Sequence, residues 1–395
     1  MFKIPLIYNL RNLWVRKVST LLTMGGIALA VGVLLMVLML VSGLRHALVA
    51  SGSPDNAIVL RSSAPSETMS GIGRDGVNEL QTLPEIAVGP DGQRKIVAEV
   101  VVGVNLLRRG QVNAKSGSNV TVRGIGPQSV TLRPLVKVVE GRPPVSGQPE
   151  IMAGINASRG FEGCQVGGSL KMGGLDWTVV GIFEAGGSAF ESELWGDGDL
   201  LMRAFGREGG YSSVTFALKD PGLDLSALQA RFDSEPRFAN LKIQRERAYY
   251  EESSLSLTLL ISILGGVLTV LFTFGAVMGA MVTMFAFVGN RTKEIGTLRA
   301  LGFQRRSILL CFLIESVLLA LAGGVLACIP ALFVQGLTFS TTNFSTFTDV
   351  TWHFRATPGI MIAGLVFAGV MGFFGGIIPA FRAARLPIIN ALREA

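Results

Sequence analysis

The sequence predicts a membrane α-helical protein: four transmembrane helices with a large α+β extracytoplasmic domain. Three observations predict it. Of 395 residues, 49% are hydrophobic and only 16% charged, a balance far from that of an ordinary water-soluble chain. Three long stretches lack charge, and a fourth carries only Glu315. Between the first two lies a segment of about 200 residues whose short β-branched runs are bounded by Gly, Pro, Asn and Asp.

The first span is read over 18–44, about 27 uncharged residues between Lys17 and Arg45. As a helix it is roughly 40 Å long, enough to cross a bilayer with tilt. Arg11, Arg16 and Lys17 before it resemble the basic start of a signal peptide. The apolar run is about twice the usual length of a signal core, which favours an uncleaved span. An interfacial helix is expected over 1–17. The second span is read over 253–290, longer than a bilayer requires, with helix extending back through QRERAYYEESS (244–254) as a stalk. The third is 307–335 and the fourth 357–381, joined by a short loop over 336–356. A C-terminal tail covers 382–395.

Orientation follows the basic residues. Lys3, Arg11, Arg16 and Lys17 lie before the first span, and Arg382, Arg385 and Arg393 after the fourth. Arg291, Lys293, Arg299, Arg305 and Arg306 lie between the second and third, but only Arg355 between the third and fourth. Lys and Arg are retained inside, so both termini and the 291–306 elbow are expected to be cytoplasmic, with 45–250 outside.

The outer segment is expected to form two subdomains. Its strand candidates are NAIVLR (56–61), KIVAEVVVGVNLL (95–107), NVTVRGI (119–125), WTVVGIF (177–183) and SSVTFAL (212–218). Helices are expected at INASRGFEG (155–163) and LSALQARFDS (225–234), the second amphipathic. Gly173-Gly174 between two short apolar runs reads as a hairpin turn. The Gly-rich EAGGSAFESELWGDGD (184–199) reads as a mobile loop, with Glu191, Glu193, Asp197 and Asp199 on a solvated face.

Several functions find no support. The formal charge of +7 is spent flanking spans, and no basic run is interleaved with aromatics, so nucleic acid is not an expected partner. The two histidines, His46 and His353, are isolated, and no ligand cluster for a metal is visible. Cys164 is alone in the outer segment and Cys311 and Cys328 lie in a span, so all three read as small buried side chains. No G-x-S-x-G, HExxH or paired Cys occurs, so no catalytic residue is assigned.

Within the membrane, helices associate through small residues and polar contacts. Gly364, Ala368, Gly372, Gly376 and Ala380 recur every four residues on the fourth span. Gly275 and Gly279 do so on the second, and Gly26 with Ala30 and Ala28 with Gly32 on the first. These surfaces pack either within one four-helix unit or against a second protomer. Glu315 lies about nine residues past Arg306, roughly 13 Å into the third span. A carboxylate there needs a partner, and Arg299 and Arg382 are the candidates, Glu315 then locking the elbow to the bundle. The competing reading lets Glu315 snorkel to the interface.

On a helix over 291–301, Ile295, Leu298 and Leu301 share a face, with Arg291, Lys293, Glu294 and Arg299 around the rest. Gly296 and Gly302 weaken the helix, and Gly302 is placed to stop it. A purely structural reading of the same pattern is an interfacial helix lying on lipid.

Three motifs carry a resemblance. R-x-x-E-I-G-x-L-R-A-L-G in 291–302, followed by an apolar span with Glu315, resembles the MacB/LolC-LolE/FtsX-like family of ABC transporter permeases. IIPAFRAARLPIINALREA (377–395) is similar to that family's closing motif, and NLWVRKVSTLLTMGGIALAVG (12–32) to its opening segment. EGRPPVSGQPEIMAGINASRGF and VGGSLKMGGLDWTVVGIFEAGG in 140–187 are similar to its periplasmic core. The resemblance implies a permease in a bacterial inner membrane, working as a dimer of identical or paralogous protomers on two cytoplasmic ABC ATPase subunits. The elbow then becomes the coupling helix, with Arg291, Glu294, Ile295, Gly296, Leu298, Arg299, Ala300, Leu301 and Gly302 as the coupling element. Glu315 becomes the intramembrane acid, and Pro379, Arg382 and Ala384 the exit of the fourth span. The sequence contains no G-x-x-x-x-G-K-[ST] loop, so ATP and Mg are expected on a partner ATPase, with no cofactor on this chain and no enzyme activity of its own. Three outcomes are implied: export of an amphiphile or peptide through a periplasmic adaptor and outer-membrane channel, extraction of lipoproteins, or FtsX-like force transmission to a periplasmic partner without transport.

Overall fold

The computed structural model describes residues 17–110, 117–335, 337–343 and 348–387. The expected interfacial helix over 1–17 and most of the C-terminal tail lie outside the described residues. Two compact units divide at Ser42/Gly43, Thr258/Leu259, Leu337/Thr338 and His353/Phe354.

The helical unit is built on four helices long and apolar enough to cross a membrane: α1 (Lys17–Val49), α6 (Glu246–Asn290), α8 (Arg305–Val334) and α9 (Pro358–Arg385). Helix α9 starts with Thr357 as N-cap, its hydroxyl accepting the Ile360 N–H, and Pro358 in the first turn, where no amide hydrogen is needed. It runs on to Arg385, past the expected end at 381, so Arg382 and Ala384 are helical rather than part of a tail. Short α7 (Thr292–Ala300) joins α6 to α8.

The small residues of α9 face their own bundle. A methyl group on Gly364 would strike Leu35 of α1, one on Gly372 would strike Ala320, and one on Gly376 would strike Ser316 of α8. Ala368 and Ala380 have no exposed surface. Close approach lets the Ser316 hydroxyl donate to the Gly372 carbonyl at 2.7 Å, a contact of the kind that holds apolar helices together. By contrast, Gly26, Gly275 and Gly279 have nothing within 4 Å of an added Cβ. Small residues at the same spacing are therefore filled on α9 and open at Gly26, Gly275 and Gly279, although Ala30 of α1 is buried.

The other unit is a mixed sheet domain. One path of strands runs β10 (Leu241–Arg245), β1 (Asn56–Arg61), β9 (Ser213–Ala217), β2 (Ile96–Leu106), β3 (Ser118–Ile125), β8 (Leu194–Asp197), β5 (Glu150–Gly154), β7 (Leu175–Glu184) and β4 (Lys137–Gly141), with β6 (Ser169–Met172) on β7. Two apolar cores share this sheet, so the expected two subdomains are lobes of one sheet. In one lobe Val100, Val102 and Val104 of β2 meet Val120 and Val122 of β3 and Trp177, the i, i+2 pattern of a strand face. In the other, Ala57 and Val59 meet Val214 and Phe216, covered by Val77 and Leu80 of α2 (Arg74–Leu80) and by Leu228 and Phe232 of α5 (Leu225–Ser234). Ile58 and Leu60 point the opposite way, into a cluster with Phe190, Trp195, Tyr249 and Tyr250.

Gly173 and Gly174, at φ +56° and +78°, form the two-residue turn between β6 and β7, a conformation that favours glycine at both positions. Helix α3 (Ile155–Gly160) is shorter than expected, and α4 (Gly198–Ala204) starts with Asp197 accepting the Leu200 N–H.

Two expectations are corrected. The stretch over 184–199 is no mobile, solvated loop. It holds a 3-10 turn (Ala189–Ser192) and β8, with Glu191, Ser192, Glu193 and Asp197 buried. Glu191 accepts the N–H groups of Ala185 and Gly187 and so closes the Gly-rich turn on itself. The short loop over 336–356 is not a plain connection either. Thr338–Asn343 and Thr348–His353 pair antiparallel as β11 and β12 and pack on the sheet domain. Arg108 donates to Asp349 at 2.6 Å and to Ser340 at 2.8 Å, Thr121 to Thr348 at 2.9 Å, and the Thr351 N–H to Ser192 Oγ at 2.9 Å.

Candidate functional site

The elbow is set by its two ends. At its C-terminal end the Gly302 N–H donates to the Arg299 carbonyl and the Phe303 N–H to the Leu298 carbonyl, at 3.2 and 3.1 Å. That paired closure needs a left-handed residue, and Gly302 sits at φ +94°. At its N-terminal end, Arg291 is the cap residue but its side chain makes no capping bond. It turns inward, only 9% exposed, and its Nη1 donates to Glu315 Oε2 of α8 at 3.0 Å while Nε donates to Glu294 at 3.0 Å. The guanidinium also lies 5.2 Å from the centre of the Phe312 ring, a cation–π distance.

Both partner expectations for Glu315 are therefore corrected. Arg299 donates to the Ala384 carbonyl at 2.9 Å, adding a cation near the carbonyl end of α9. Arg382 lies 5.5 Å from the centre of the Phe285 ring. Arg291, expected on the outer face, supplies the ion pair instead, because it lies at the start of the elbow, where a side chain can turn back onto α8.

The apolar face of the elbow is also narrower than its spacing suggests. Ile295 is buried among Met284, Phe287, Val288, Ile308 and Phe312, with Ala380 and Ala383 of α9 in the same cluster. Gly296 is buried, Leu298 and Arg299 are half-buried, and Ala300 and Gly302 are exposed. Leu301 is 69% exposed because the terminating turn rotates it off the helix face. Lys293, Glu294, Thr297, Ala300, Leu301, Arg305 and Arg306 thus make an outward surface, predominantly basic with a leucine upon it. In α9, Pro379 and Ala384 are buried and Arg382 is exposed.

A second constellation lies within the sheet domain. Arg123 of β3 bonds Glu67, Glu99 and Glu193 at 2.8 to 3.1 Å. Arg133 holds Glu99 through two bonds, at 2.6 and 2.8 Å, and reaches Glu246 at 3.5 Å. Glu246 opens α6 and also accepts from the Ser53 N–H and Asn56 Nδ2. Burial alone would raise the Glu99 carboxyl, but Arg133 and Arg123 outweigh it and hold it at about 2. Glu246 goes the other way: burial raises it, and Arg133 offsets only part of that. The Tyr250 hydroxyl, buried and donating to Glu67 at 3.2 Å, is pushed well above the ordinary tyrosine range by burial and by that carboxylate. Sequence reading missed this cluster because its members are scattered from residue 67 to 246. One signal was there: Glu99 and Arg123 interrupt otherwise apolar strand runs, and a charge in such a run needs an opposite charge nearby.

Neither constellation pairs a nucleophile with a base, and no cluster of His, Cys, Asp and Glu able to hold a metal occurs among the described residues. Cys164 is buried, its thiol pushed up to about 12 by burial, which keeps it inert.

Comparison with known proteins covers both units. Residues 20–235 match the family model described as MacB-like periplasmic core domain, and residues 256–388 the FtsX-like permease C-terminal. The macrolide export ATP-binding/permease protein MacB of Hahella chejuensis is 26% identical over 377 residues, 85% of this chain and 54% of that protein. The pyoverdine export ATP-binding/permease protein PvdT of Pseudomonas entomophila is 26% identical over 403 residues, 97% of this chain and 58% of that protein. The chain thus spans about half the length of the curated relatives it matches. Among solved structures, the periplasmic region of MacB from Actinobacillus actinomycetemcomitans aligns over 49% of this chain and 90% of its own, at 12% identity and a TM-score of 0.35.

Proposed function

The chain belongs to the MacB/FtsX-like family of ABC permeases, and from that premise we propose that it carries ATP-driven motion of cytoplasmic ABC ATPase subunits to its sheet domain. The elbow is the coupling element. Its inner side is fixed by Ile295 in an apolar seat and by the Arg291–Glu315 pair, so a push on the helix passes to α8 rather than dissipating in a loose loop. Its outer side offers Thr297, Leu301 and a ring of basic residues to a partner. That division, anchored within and free without, is the single observation that carries the reading.

Both termini and the elbow are placed in the cytoplasm and the sheet domain on the periplasmic side of the inner membrane, from the distribution of Lys and Arg. α1 and α6, at 33 and 45 residues, are each longer than a bilayer requires, which supports their role as stalks. ATP and Mg belong to the partner ATPase. The motion is a population shift: nucleotide favours one stalk position because the ATPase binds that position better. The open small-residue faces of α1 and α6 suit a second protomer. The work done is export or extraction of an amphiphilic molecule, in keeping with the macrolide and pyoverdine export named for the relatives. A periplasmic adaptor and outer-membrane channel would complete that route. Force transmission to a periplasmic protein without transport is the alternative.

The test is purification of the full chain from its native membrane, with assay of the bound ATPase in proteoliposomes. Leu301→Asp is expected to lower ATPase recovery about tenfold, the effect of roughly 1.4 kcal/mol at an interface, while the permease itself stays folded. Undiminished recovery overturns the coupling assignment. ATPase stimulation by an amphiphile supports transport, and stimulation only by a periplasmic protein supports force transmission.

A further inference from the structure

Within the sheet domain a cleft of about 300 Å³ opens between the turn after α1 (Ser51–Asp55), the Leu132–Val136 loop and the turn at Ala185–Phe190. That volume is within the range of small-molecule sites. Its walls are largely apolar, from Leu132, Leu135, Val136 and Phe190. Leu135 stands 54% exposed at the rim.

Two donors at this cleft are unspent. Ser188 Oγ and Arg133 Nε have no hydrogen-bond partner among the described residues, although Ser188 has no exposed surface and Arg133 is 4% exposed. Ser188 occupies the N-cap position of the 3-10 turn, where a serine hydroxyl normally accepts a backbone N–H, yet it makes no such bond. The Ala189 N–H beside it goes to Ser51 Oγ, at 3.1 Å. Buried donors in this condition are rare and point to a missing acceptor.

The charge around them selects the ligand. The other guanidinium nitrogens of Arg133 are committed to Glu99 and Glu246. The cluster behind the cleft sets Glu67, Glu99, Glu193 and Glu246 against Arg123 and Arg133, and Asp55 stands at the rim. A carboxylate ligand would meet an excess of negative charge. An ammonium would bring N–H donors to donors. We propose that the cleft binds a small uncharged amphiphile, its apolar body on Leu132, Leu135, Val136 and Phe190 and its carbonyl or ether oxygen accepting from Ser188 and Arg133. The site is independent of the coupling assignment. Because Arg133 also touches Glu246 at the start of α6, occupancy bears on the group that anchors that helix.

The experiment uses the full chain in nanodiscs, with Leu135→Cys at the rim and the unsubstituted chain as blank. The rate of cysteine modification by a charged methanethiosulfonate is measured with 2-heptanone, heptanoate or heptylamine present. The expected result is slowing by about tenfold with the ketone alone, as when roughly nine sites in ten are filled. A Val88→Cys control, exposed outside the cleft, keeps its rate and so reports that the ketone does not slow the reagent itself. Adding Ser188→Ala is expected to raise the half-protecting ketone concentration about tenfold, the worth of one hydrogen bond. Protection by none of the three, which marks a water-filled recess, overturns the proposal. So does equal protection by the carboxylate or the amine, or protection that Ser188→Ala leaves unchanged.

Discussion

Arg291 and Glu315 face each other across 3.0 Å, 24 residues apart in sequence and both nearly closed to solvent. Removing one partner of a buried pair costs about 3–5 kcal/mol, and Arg291 keeps its contact with Glu294 when Glu315 is replaced, which puts the loss at the lower end. Glu315→Gln and Arg291→Gln are each expected to destabilise the helical unit by about 3 kcal/mol. The double variant should lose less than the sum of the two, because the contact between them is lost only once. Thermal unfolding of the four proteins in nanodiscs checks this. Additive losses would mean that the two side chains act separately.

The glycines of the spans should split into two groups. Gly376→Val drives a side chain into Ser316 and is expected to cost about 2 kcal/mol or more through overpacking. A Cβ on Gly279 meets nothing within 4 Å, so Gly279→Ala should leave the single chain's stability within about 0.5 kcal/mol. If a second protomer covers that face, the same substitution will shift the dimer to monomer. Unfolding midpoints and mass photometry together separate the two effects.

The buried carboxylates give the sheet domain an acid limit. Glu99 is held at about 2, below the ordinary carboxyl value of 4.5. A depressed acid contributes stability that is fully present above the unfolded value and lost as pH falls toward the folded one. Protection of β2 and β3 amides from hydrogen exchange is expected to decline between about pH 4.5 and pH 2. Glu99→Gln should be less stable at neutral pH and lose much of this decline. Glu246, whose carboxyl is raised, has the opposite sign: the folded chain keeps its proton longer, so its contribution falls as pH climbs past the ordinary value. Glu246→Gln should therefore be the milder substitution at neutral pH.

The β11–β12 hairpin rests on the sheet domain through Arg108, which pairs with Asp349 and Ser340. Arg108 is about one-third exposed, so screening limits the pair to about 1 kcal/mol or less. Arg108→Ala should leave the sheet folded yet raise proteolytic cleavage within 338–353 by about fivefold, the effect of roughly 1 kcal/mol on local opening. Arg108→Ala with Asp349→Ala should add little further, which a double-mutant comparison of cleavage rates will show.

Much of this protein was legible in one dimension because the membrane imposes a one-dimensional code. A stretch such as 358–381 without a charge can be little else than a span, and the β-branched runs at 56–61 and 119–125 announce strands. The strands at Glu150–Gly154 and Leu194–Asp197 went unread, since neither is rich in β-branched residues, and burial between neighbouring strands makes them strands. The hairpin at 338–353 was likewise hidden in a run of Thr and Ser that suits a loop equally well.

Four apolar helices, the mixed domain set between the first two, and the position and stop of the elbow at Gly302 can all be read along the chain. These depend on local chemistry: hydrophobic length, backbone freedom at one glycine, and charge at span ends. Tertiary structure alone decided which arginine meets Glu315, which glycines are filled, and that six charges from residue 67 to 246 share one dry cluster. Partner choice among buried charges depends on where side chains converge in space. The sequence pointed to Arg299 and Arg382, and only the turn at the start of the elbow brings Arg291 to Glu315.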